Sequence, residues 1–481
     1  MMRLGAEELS LGLRGQWWQG GNEPGMLELV NLMPTRSGLA ALPDILPLVL
    51  PAESLLQDGH LQWHSVPGSS LLIQGNNLWK MKHGKWVLLW ESLPQSEKPW
   101  KLIPVGRDWV LLGEYGAVVS KNETIAHYDS PGVTCGDVYM NRLVLGGFDG
   151  TEQDYTFAPD VRHINWNAHF DLPENALWYS SPGGDVTRLW KEGALNVLEE
   201  SEQNSSGMLV IPDIGRIIQI LPMRRVLAVY GERGAVLVRA IVEPQPALAV
   251  VQGIQLEVEL VDALAVCRNR HGQHLIVTRE GTLALLDEEE GLKYLGWQEQ
   301  FSRLTPPIKT FYDPIYNAVY FSDRTLCYVL VEGRLCQSSR VVQSLSRQTH
   351  LVGIYDDAPA LPEANEFGFL FEALDFGSRE YKTINYIEVG YSDLMGYDRW
   401  MTGDVQPPEI AVEVRSENGD WISSDWALLN DAGVGYPRMS GVEFRVKMRG
   451  TLPNRRGKIN SIHVYYDQGG WDRGRARQAR T

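Results

Sequence analysis

His274-Leu-Ile-Val-Thr-Arg-Glu-Gly-Thr-Leu-Ala-Leu-Leu286 is the stretch whose reading decides the fold. Two short runs of β-branched and aliphatic residues flank Glu280-Gly281, and the glycine supplies the positive φ that a tight hairpin turn demands. Each run is too short for a buried helix, so the unit reads as strand, turn, strand. The same grammar recurs outward from it. Leu71-Leu-Ile-Gln-Gly-Asn-Asn-Leu-Trp79 is followed by Gly84 to Trp90, then by Trp109 to Val119 and Asn141 to Gly147. Ala176 to Ser180 turns at Gly183, Gly184 and Asp185 into Val186 to Trp190. Tyr312 to Ser322, Leu326 to Val331 and the pair Glu332-Gly333 repeat it again. Helical periodicity is nearly absent. The chain is all-β.

Spacing then suggests an architecture. Similar units begin near Leu71, Trp109, Asn141, Ala176, Arg225, His274 and Ala318, a period of roughly 30 to 50 residues that suits the blades of a β-propeller. A pair of β-sandwiches is the competing reading. The propeller is expected over 61–345, preceded by an extended N-terminal arm and first strands over 1–60. Asp356-Asp-Ala-Pro-Ala-Leu-Pro-Glu-Ala-Asn365 is rich in proline and acid, which places a linker loop at 346–366. Five alternating segments follow: Phe367 to Asp375, Thr383 to Gly390, Ile410 to Arg415, Val442 to Met448 and Ile459 to Tyr466. In the fourth, Phe444, Val446 and Met448 share one face and charges the other, as in a sheet with one solvated side. A separate C-terminal β-sandwich is therefore expected over 367–468, with a basic tail at 469–481.

Composition narrows the function classes. The 481 residues are 44% hydrophobic and include 16 Trp, which excludes disorder as a description of the whole. No run is long and apolar enough to span a membrane as a helix. Glu7 and Glu8 stand where a secretory signal would be apolar, so no signal is read there. Cys135, Cys267, Cys327 and Cys336 are scattered without ligand spacing and read as reduced, buried thiols. The net charge of -16 is uneven: eleven Lys and Arg against three acids from Arg438 onward give +8, leaving -24 before it. An acidic body with a basic end argues against a generic DNA-binding protein, whose basic face would be broad.

Motifs for chemistry are missing. There is no HExxH, GxSxG, P-loop or GxGxxG opening a helix. His271 and His274 lie three apart with no further ligand to join them, and read as a solvated hairpin edge. Ser416-Glu-Asn-Gly-Asp-Trp421 is similar to the Asp-box turn of sialidases but is a single copy with Asn418 in place of Asp; it reads as a hairpin turn with Trp421 packed back on the sheet. Trp79, Trp86, Trp90, Trp109, Trp178 and Trp190 sit in strand runs and read as core filling. No catalytic residue, cofactor or metal is assigned, and the chain is not read as an enzyme. Gly469-Gly-Trp-Asp-Arg-Gly-Arg-Ala-Arg-Gln-Ala-Arg480 carries four arginines that suit an acidic surface or phosphate.

Several local patterns together resemble virion proteins of short-tailed bacteriophages: the tail tube or nozzle proteins and the related packaged-DNA stabilisation proteins. They are Glu28-Leu-Val-Asn-Leu-Met-Pro34 with Gly38-Leu-Ala-Ala-Leu-Pro43, Val226 to Val238, Gly253-Ile-Gln, Ala263 to Cys267, Ile276 to Leu283, Leu374-Asp-Phe-Gly-Ser-Arg-Glu-Tyr-Lys-Thr-Ile384, Arg445 to Gly450 and Ile459 to Tyr466. The resemblance implies a six- or seven-bladed propeller with appended β-domains, assembled as a hexameric ring in the phage tail after synthesis in the host cytoplasm. It implies a head-to-tail adaptor, tail fibres or other tail proteins, and further copies of the chain as partners. Packaged double-stranded DNA would pass without sequence-specific binding, and no membrane is involved in the virion. Candidate assembly contacts are Trp17 and Trp18 in the apolar stretch Gly15 to Pro47, and Arg473, Arg475, Arg477 and Arg480 in the tail. Two alternatives stay open: a propeller carbohydrate-binding protein or glycan hydrolase of a phage tail, and a cytosolic propeller scaffold.

Overall fold

A computed structural model describes the chain except residues 10, 14–24, 44, 48–50, 52–60, 67–68, 84, 92, 94–99, 107, 114–115, 122–123, 129–132, 149–172, 181–206, 242–246, 343, 348–350, 355–364, 375–379, 392–405, 417, 453–457 and 469–481. Among the described residues helix is confined to two single turns, α1 (Ala6–Leu9) and α2 (Gln298–Phe301). Everything else that is regular is strand, arranged in several distinct sheets, so the all-β expectation holds.

Five strands precede the repeats: β1 (Met2–Leu4), β2 (Met26–Val30), β3 (Leu32–Thr35), β4 (Gly38–Ala41) and β5 (Leu46–Pro47). Then come five antiparallel four-stranded sheets in chain order, β6–β9 (61–90), β10–β13 (101–128), β14–β17 (135–210), β18–β21 (217–256) and β22–β25 (266–296). A sixth set, β26–β29 (309–338), repeats the pattern, and β30 (Ser344–Arg347) with β31 (Leu351–Ile354) begins a seventh. Within each full set consecutive strands are antiparallel neighbours, most of them joined by a short turn. The opening stretch of sequence is the hairpin β23–β24 (His274–Val277, Leu283–Asp287). Its Gly281 has φ +71°, and a Cβ there would sit 2.9 Å from the Ser302 Cα, so no other residue fits without displacing backbone.

Each sheet is apolar on both faces, and successive sheets share cores. Leu71, Ile73 and Leu78 of the first meet Trp109, Leu111 and Val118 of the second. The other face of the second, with Ile103, Val110 and Leu112, meets Leu143, Leu145 and Trp178 of the third. Val144 and Leu177 then meet Ile220 and Val229, and Ala228 and Tyr230 meet Ile276 and Ala284. The opening strands of the sets lie near one another: β10 (Lys101–Val105) against β14 (Cys135–Tyr139), β14 against β18 (Ile217–Pro222), β22 (Val266–Arg268) against β26 (Lys309–Asp313), and β26 against β30. The last of them, β30, returns to lie against β6 (Leu61–Val66).

The first strands expected in the N-terminal segment are built into sheets formed by later parts of the chain. β2 is antiparallel to β32 (Asn365–Phe371) on one side and bridges in parallel to β29 (Arg334–Ser338) on the other. Through it the sixth set runs on into β32, β39 (Phe444–Leu452), β34 (Glu409–Arg415) and β35 (Trp421–Ser423), one ten-stranded sheet. The C-terminal region therefore shares a sheet with the repeats instead of standing apart. In the second C-terminal sheet, β40 (Lys458–Gln468) pairs with β33 (Lys382–Tyr391), β1 and β4. The stretch expected as a linker contains β31, and β5 pairs parallel to it, Val352 opposite Leu46. Proline and acid content marked the residues after β31, 355–364, which lie outside the described residues. It did not mark the strand before them.

Asn31 fixes the junction. It sits at φ +57°, a conformation Asn tolerates better than most residues. Its amide donates to Ser339 Oγ at 2.8 Å and to the Glu366 carbonyl at 2.6 Å, and its Oδ1 accepts from the Ser339 N–H at 2.8 Å. One side chain thus ties the end of β29 to the start of β32. Asn31→Ala removes three hydrogen bonds and puts at the left-handed position a residue that tolerates it less well than Asn, so equilibrium denaturation should show a loss of about 2–4 kcal/mol. An unchanged midpoint and slope would show that the junction does not depend on this residue.

Candidate functional site

The opening strands of the sets carry the polar residues that a fully apolar core would not contain. Gln62 and His64 alternate on β6 with Trp63, and share a face with Leu71 and Ile73 that looks toward the second sheet. Lys101 starts β10 and shares a face with Ile103. Asp137 lies on β14 between Cys135 and Tyr139, on the side of the fourth sheet. Gln219 on β18 is buried and donates to the Ala263 carbonyl at 2.8 Å. Arg268 ends β22. Each of these five opening strands thus carries at least one polar or charged side chain.

Their electrostatics are linked. Burial pushes the His64 imidazole down to about 4, and the Lys101 charge presses in the same direction, so His64 is neutral near pH 7. Burial raises the Asp137 carboxyl, opposed by Lys101, by the 2.7 Å hydrogen bond from the Val138 N–H and by Arg268. Lys101 therefore influences groups on two neighbouring strands, and Arg268 reaches Asp137 across a third set. This is a mixed-charge cluster. Its groups can hold a polar or ionic ligand, but they are not aligned as a nucleophile and base, and no group of three or more metal-ligating side chains occurs among the described residues.

His274 corrects the reading of a solvated histidine pair. It has no exposed surface, and its Nδ1 is 2.7 Å from the Tyr230 hydroxyl while Nε2 lies 3.3 Å from the Pro222 carbonyl. Only His271 matches the expectation: it is exposed and its Nε2 accepts from Arg270 Nε at 3.0 Å. The three-residue spacing misled because a hairpin turn, with Gly272 at its tip, sends one histidine outward and takes the other into the strand. Cys135, Cys327 and Cys336 are buried and Cys267 is half-buried; all four are free thiols, as the sequence suggested. Burial raises each, Cys135, Cys267 and Cys327 to about 12, so none offers a thiolate nucleophile near neutrality.

A second polar surface lies on the ten-stranded sheet. Arg445, Lys447 and Arg449 alternate with the buried Phe444, Val446 and Met448, as the pattern predicts. The Arg445 guanidinium lies 3.9 Å from the Trp421 ring centre, and Arg449 and Lys447 stand 4.3 and 5.0 Å from that of Trp426. Lys447 also pairs with Glu413 at 3.0 Å and Arg449 with Glu409 at 2.7 Å. The Ser416 to Trp421 segment is a hairpin turn, closed by the Ser416 N–H to Asp420 carbonyl bond of 2.7 Å. Contacts of these cations with both rings and carboxylates stabilise this face.

The candidate contacts Trp17, Trp18, Arg473, Arg475, Arg477 and Arg480 lie outside the described residues. The structure thus brings none of them to a site. Of the tryptophans read as core, Trp109 and Trp178 are buried between successive sheets, Trp79, Trp86 and Trp90 are half-buried, and Trp190 lies outside the described residues. The inner-strand cluster was missed because its members are single polar residues in unrelated strands. Lys101 and Asp137 interrupt otherwise apolar runs, and that interruption was the available signal.

No protein-family model matches the chain, and no curated protein does. Among solved structures it is similar to YCF48 bound to a D1 peptide, at 10% identity over 66% of this chain and 100% of that one, with a TM-score of 0.35. It is also similar to apo AztD from Citrobacter koseri, at 11% identity over 65% and 80% of the two chains with a TM-score of 0.34. Virginiamycin B lyase from Staphylococcus aureus matches at 9% identity over 60% and 87%, with a TM-score of 0.33. Likenesses this distant assign neither a family nor an activity, and none of the three bears on the phage-tail resemblance.

The buried His274 gives the protein a calculable response to acid. Burial depresses its imidazole from 6.5 to about 4 in the folded chain. The unfolded chain therefore binds more protons between these values, and the stability held above pH 6.5 is lost as pH falls toward 4. The loss approaches about 3 kcal/mol. Melting curves between pH 8 and 4 should show this decline, and His274→Gln should lessen it while the share from His64 remains. A wild-type profile with no loss as the pH falls below the ordinary histidine range would contradict the assignment.

Proposed function

We propose that the chain is a structural, non-enzymatic β-propeller of seven blades, and that it serves as a ring-forming component of a short-tailed bacteriophage tail. The observation that supports the architecture is the adjacency of opening strands, β10 to β14 to β18 and β22 to β26 to β30, with β30 returning to β6. Pairing of β5 with β31 supports it further, since a strand from before the first blade completing the last one is a means of holding a ring shut. The two C-terminal sheets would then form a β-sandwich-like platform fused to the sixth blade. The phage role rests on the sequence resemblance.

Packing constrains how such a protein could accommodate DNA. The opening strands carry buried groups such as Cys135 and Gln219. A duplex does not pass through the centre of one chain on this reading. The bore would be made between copies, in a symmetric ring with heterologous side-to-side contacts. An acidic body suits a bore that DNA must slide through, because each neutralised phosphate adds salt-dependent affinity. The head-to-tail adaptor would dock end-on, with the basic C-terminal end meeting an acidic surface.

Negative-stain microscopy and native mass spectrometry of the full chain, alone and with the adaptor encoded beside it, test this. A closed ring with one chain per symmetric position is expected. Replacing Arg473, Arg475, Arg477 and Arg480 by Ser should weaken docking while circular dichroism stays unchanged. A chain that remains monomeric under all these conditions, or that turns over bacterial surface glycan, would overturn the proposal.

A further inference from the structure

The turns that follow the opening strands of four successive sets come out at one end of the repeats. Gln219, near the start of β18, donates to the Ala263 carbonyl just before β22. The Thr310 N–H, near the start of β26, donates to the Leu264 carbonyl at 3.0 Å. These three strands therefore start together and run the same way. At the far end, the Tyr139 hydroxyl of β14 donates to the Arg225 carbonyl, and a Cβ on Gly272 would lie 2.8 Å from Arg224 Cγ. The turns at Met140, Arg224–Arg225, Arg270–His271 and Ile315–Tyr316 thus follow one another across a single face.

That face has a basic centre and apolar flanks. Arg224, Arg225 and Arg270 are exposed, and none forms an ion pair with a described carboxylate. An acidic turn between β24 and β25 adjoins them, since the Arg225 N–H donates to Glu288 at 3.0 Å. Its carboxylates are engaged by other donors. Asp287, which feels the Arg224 charge, accepts from the Gln273 amide and from the Glu289 and Glu290 N–H groups, and Glu290 pairs with Lys293. On either side Met140, Ile315 and Tyr316 are 51%, 62% and 43% exposed.

We propose that this face docks a protein partner whose surface is acidic and carries apolar side chains beside its carboxylates. Charge complementarity selects the sign: three guanidinium groups stand together on a chain whose net charge is -16, and each fork matches a carboxylate. Residue type selects protein over nucleic acid. Arg, Tyr and Met are the side chains enriched at protein interfaces, whereas Lys is depleted there, and these four turns contain none. A phosphate backbone is continuously negative and would also meet Asp287 to Glu290; a protein surface with separate carboxylates need not. The docking face is distinct from the basic C-terminal end, and it stands independently of the phage-tail reading.

Fluorescence anisotropy of the full chain with three labelled probes tests this: a peptide alternating Glu with Leu and Phe, one alternating Glu with Ser at equal charge, and a DNA duplex. The first peptide should bind best. The triple variant Arg224→Ser, Arg225→Ser, Arg270→Ser should weaken it by about tenfold, and so should Ile315→Ser with Met140→Ser. All five positions are exposed turn residues, and an unchanged melting midpoint would show that the variants fold. No binding of the first peptide, or equal binding of the second, would overturn the proposal. So would tighter binding of the duplex through the same arginines, or a loss seen only when Arg473, Arg475, Arg477 and Arg480 are replaced. Sedimentation of the chain alone closes the remaining case: self-association abolished by the triple variant would make the occupant a second copy, and the proposal would fall.

Discussion

The hydrogen-bonding edge of β2 is the constraint on which the rest of the molecule depends. A strand presents donors and acceptors on both sides, and an open edge inside a protein is costly. Here one side of β2 is filled by β32 and the other meets β29 through the Val30 to Gln337 bridge and the 2.8 Å bond from the Asn31 N–H to the Gln337 carbonyl. Leu13 continues the contact, its N–H donating to the Leu335 carbonyl at 2.7 Å and its carbonyl accepting from the Trp297 indole at 3.0 Å. Removing β2 would expose β29 and β32 together. The repeats and the C-terminal sheets are held as one body by a strand that belongs to neither in sequence.

This arrangement explains why apolar burial alone does not account for the architecture. The shared cores between successive sheets are non-directional, and would tolerate sliding of one sheet over the next. Register and order come from directional contacts at the rims. Asn31 joins β29 to β32, Arg340 donates to the Ile45 carbonyl at 2.9 Å beside β5, and Asp323 accepts from the Thr305, Thr325 and Leu326 N–H groups around the turn before β28 (Cys327–Val331). Each is a modest contribution of roughly 0.5–1.5 kcal/mol, and somewhat more where the acceptor is ionised. Their value lies in selecting one stacking of the sheets from several of similar apolar burial.

The local level of this structure was legible in the sequence, and the long-range level was not. Hairpins such as β23–β24 were readable because the turn residue, Gly281, and the two flanking runs lie within thirteen residues. The solvated face of β39 was readable because its charges alternate with Phe444, Val446 and Met448 at period two. By contrast, the pairing of β2 with β32 joins residues more than three hundred positions apart, and nothing in Met26 to Val30 names its partner. β31 was hidden because Leu351-Val-Gly-Ile354 is four residues long and adjoins a loop-like stretch. His274 was misread for a related reason: a short motif reports spacing, whereas burial is decided by which sheet packs over the strand.

The same long-range pairing orders the events of folding. Most strands from β6 to β29 pair with a neighbour across a short turn, so their sheets can assemble as the chain emerges. β1, β2, β4 and β5 cannot find their places until β40, β32 and β31 exist, which requires nearly the whole chain. Until then the apolar residues Leu29, Leu32 and Leu39, all fully buried in the folded protein, have no core to enter. Loop closure over such separations adds entropy only logarithmically, so the final state is stable enough; the consequence is kinetic. A fold whose early strands pair with late ones reaches its final form only after those late strands have been made.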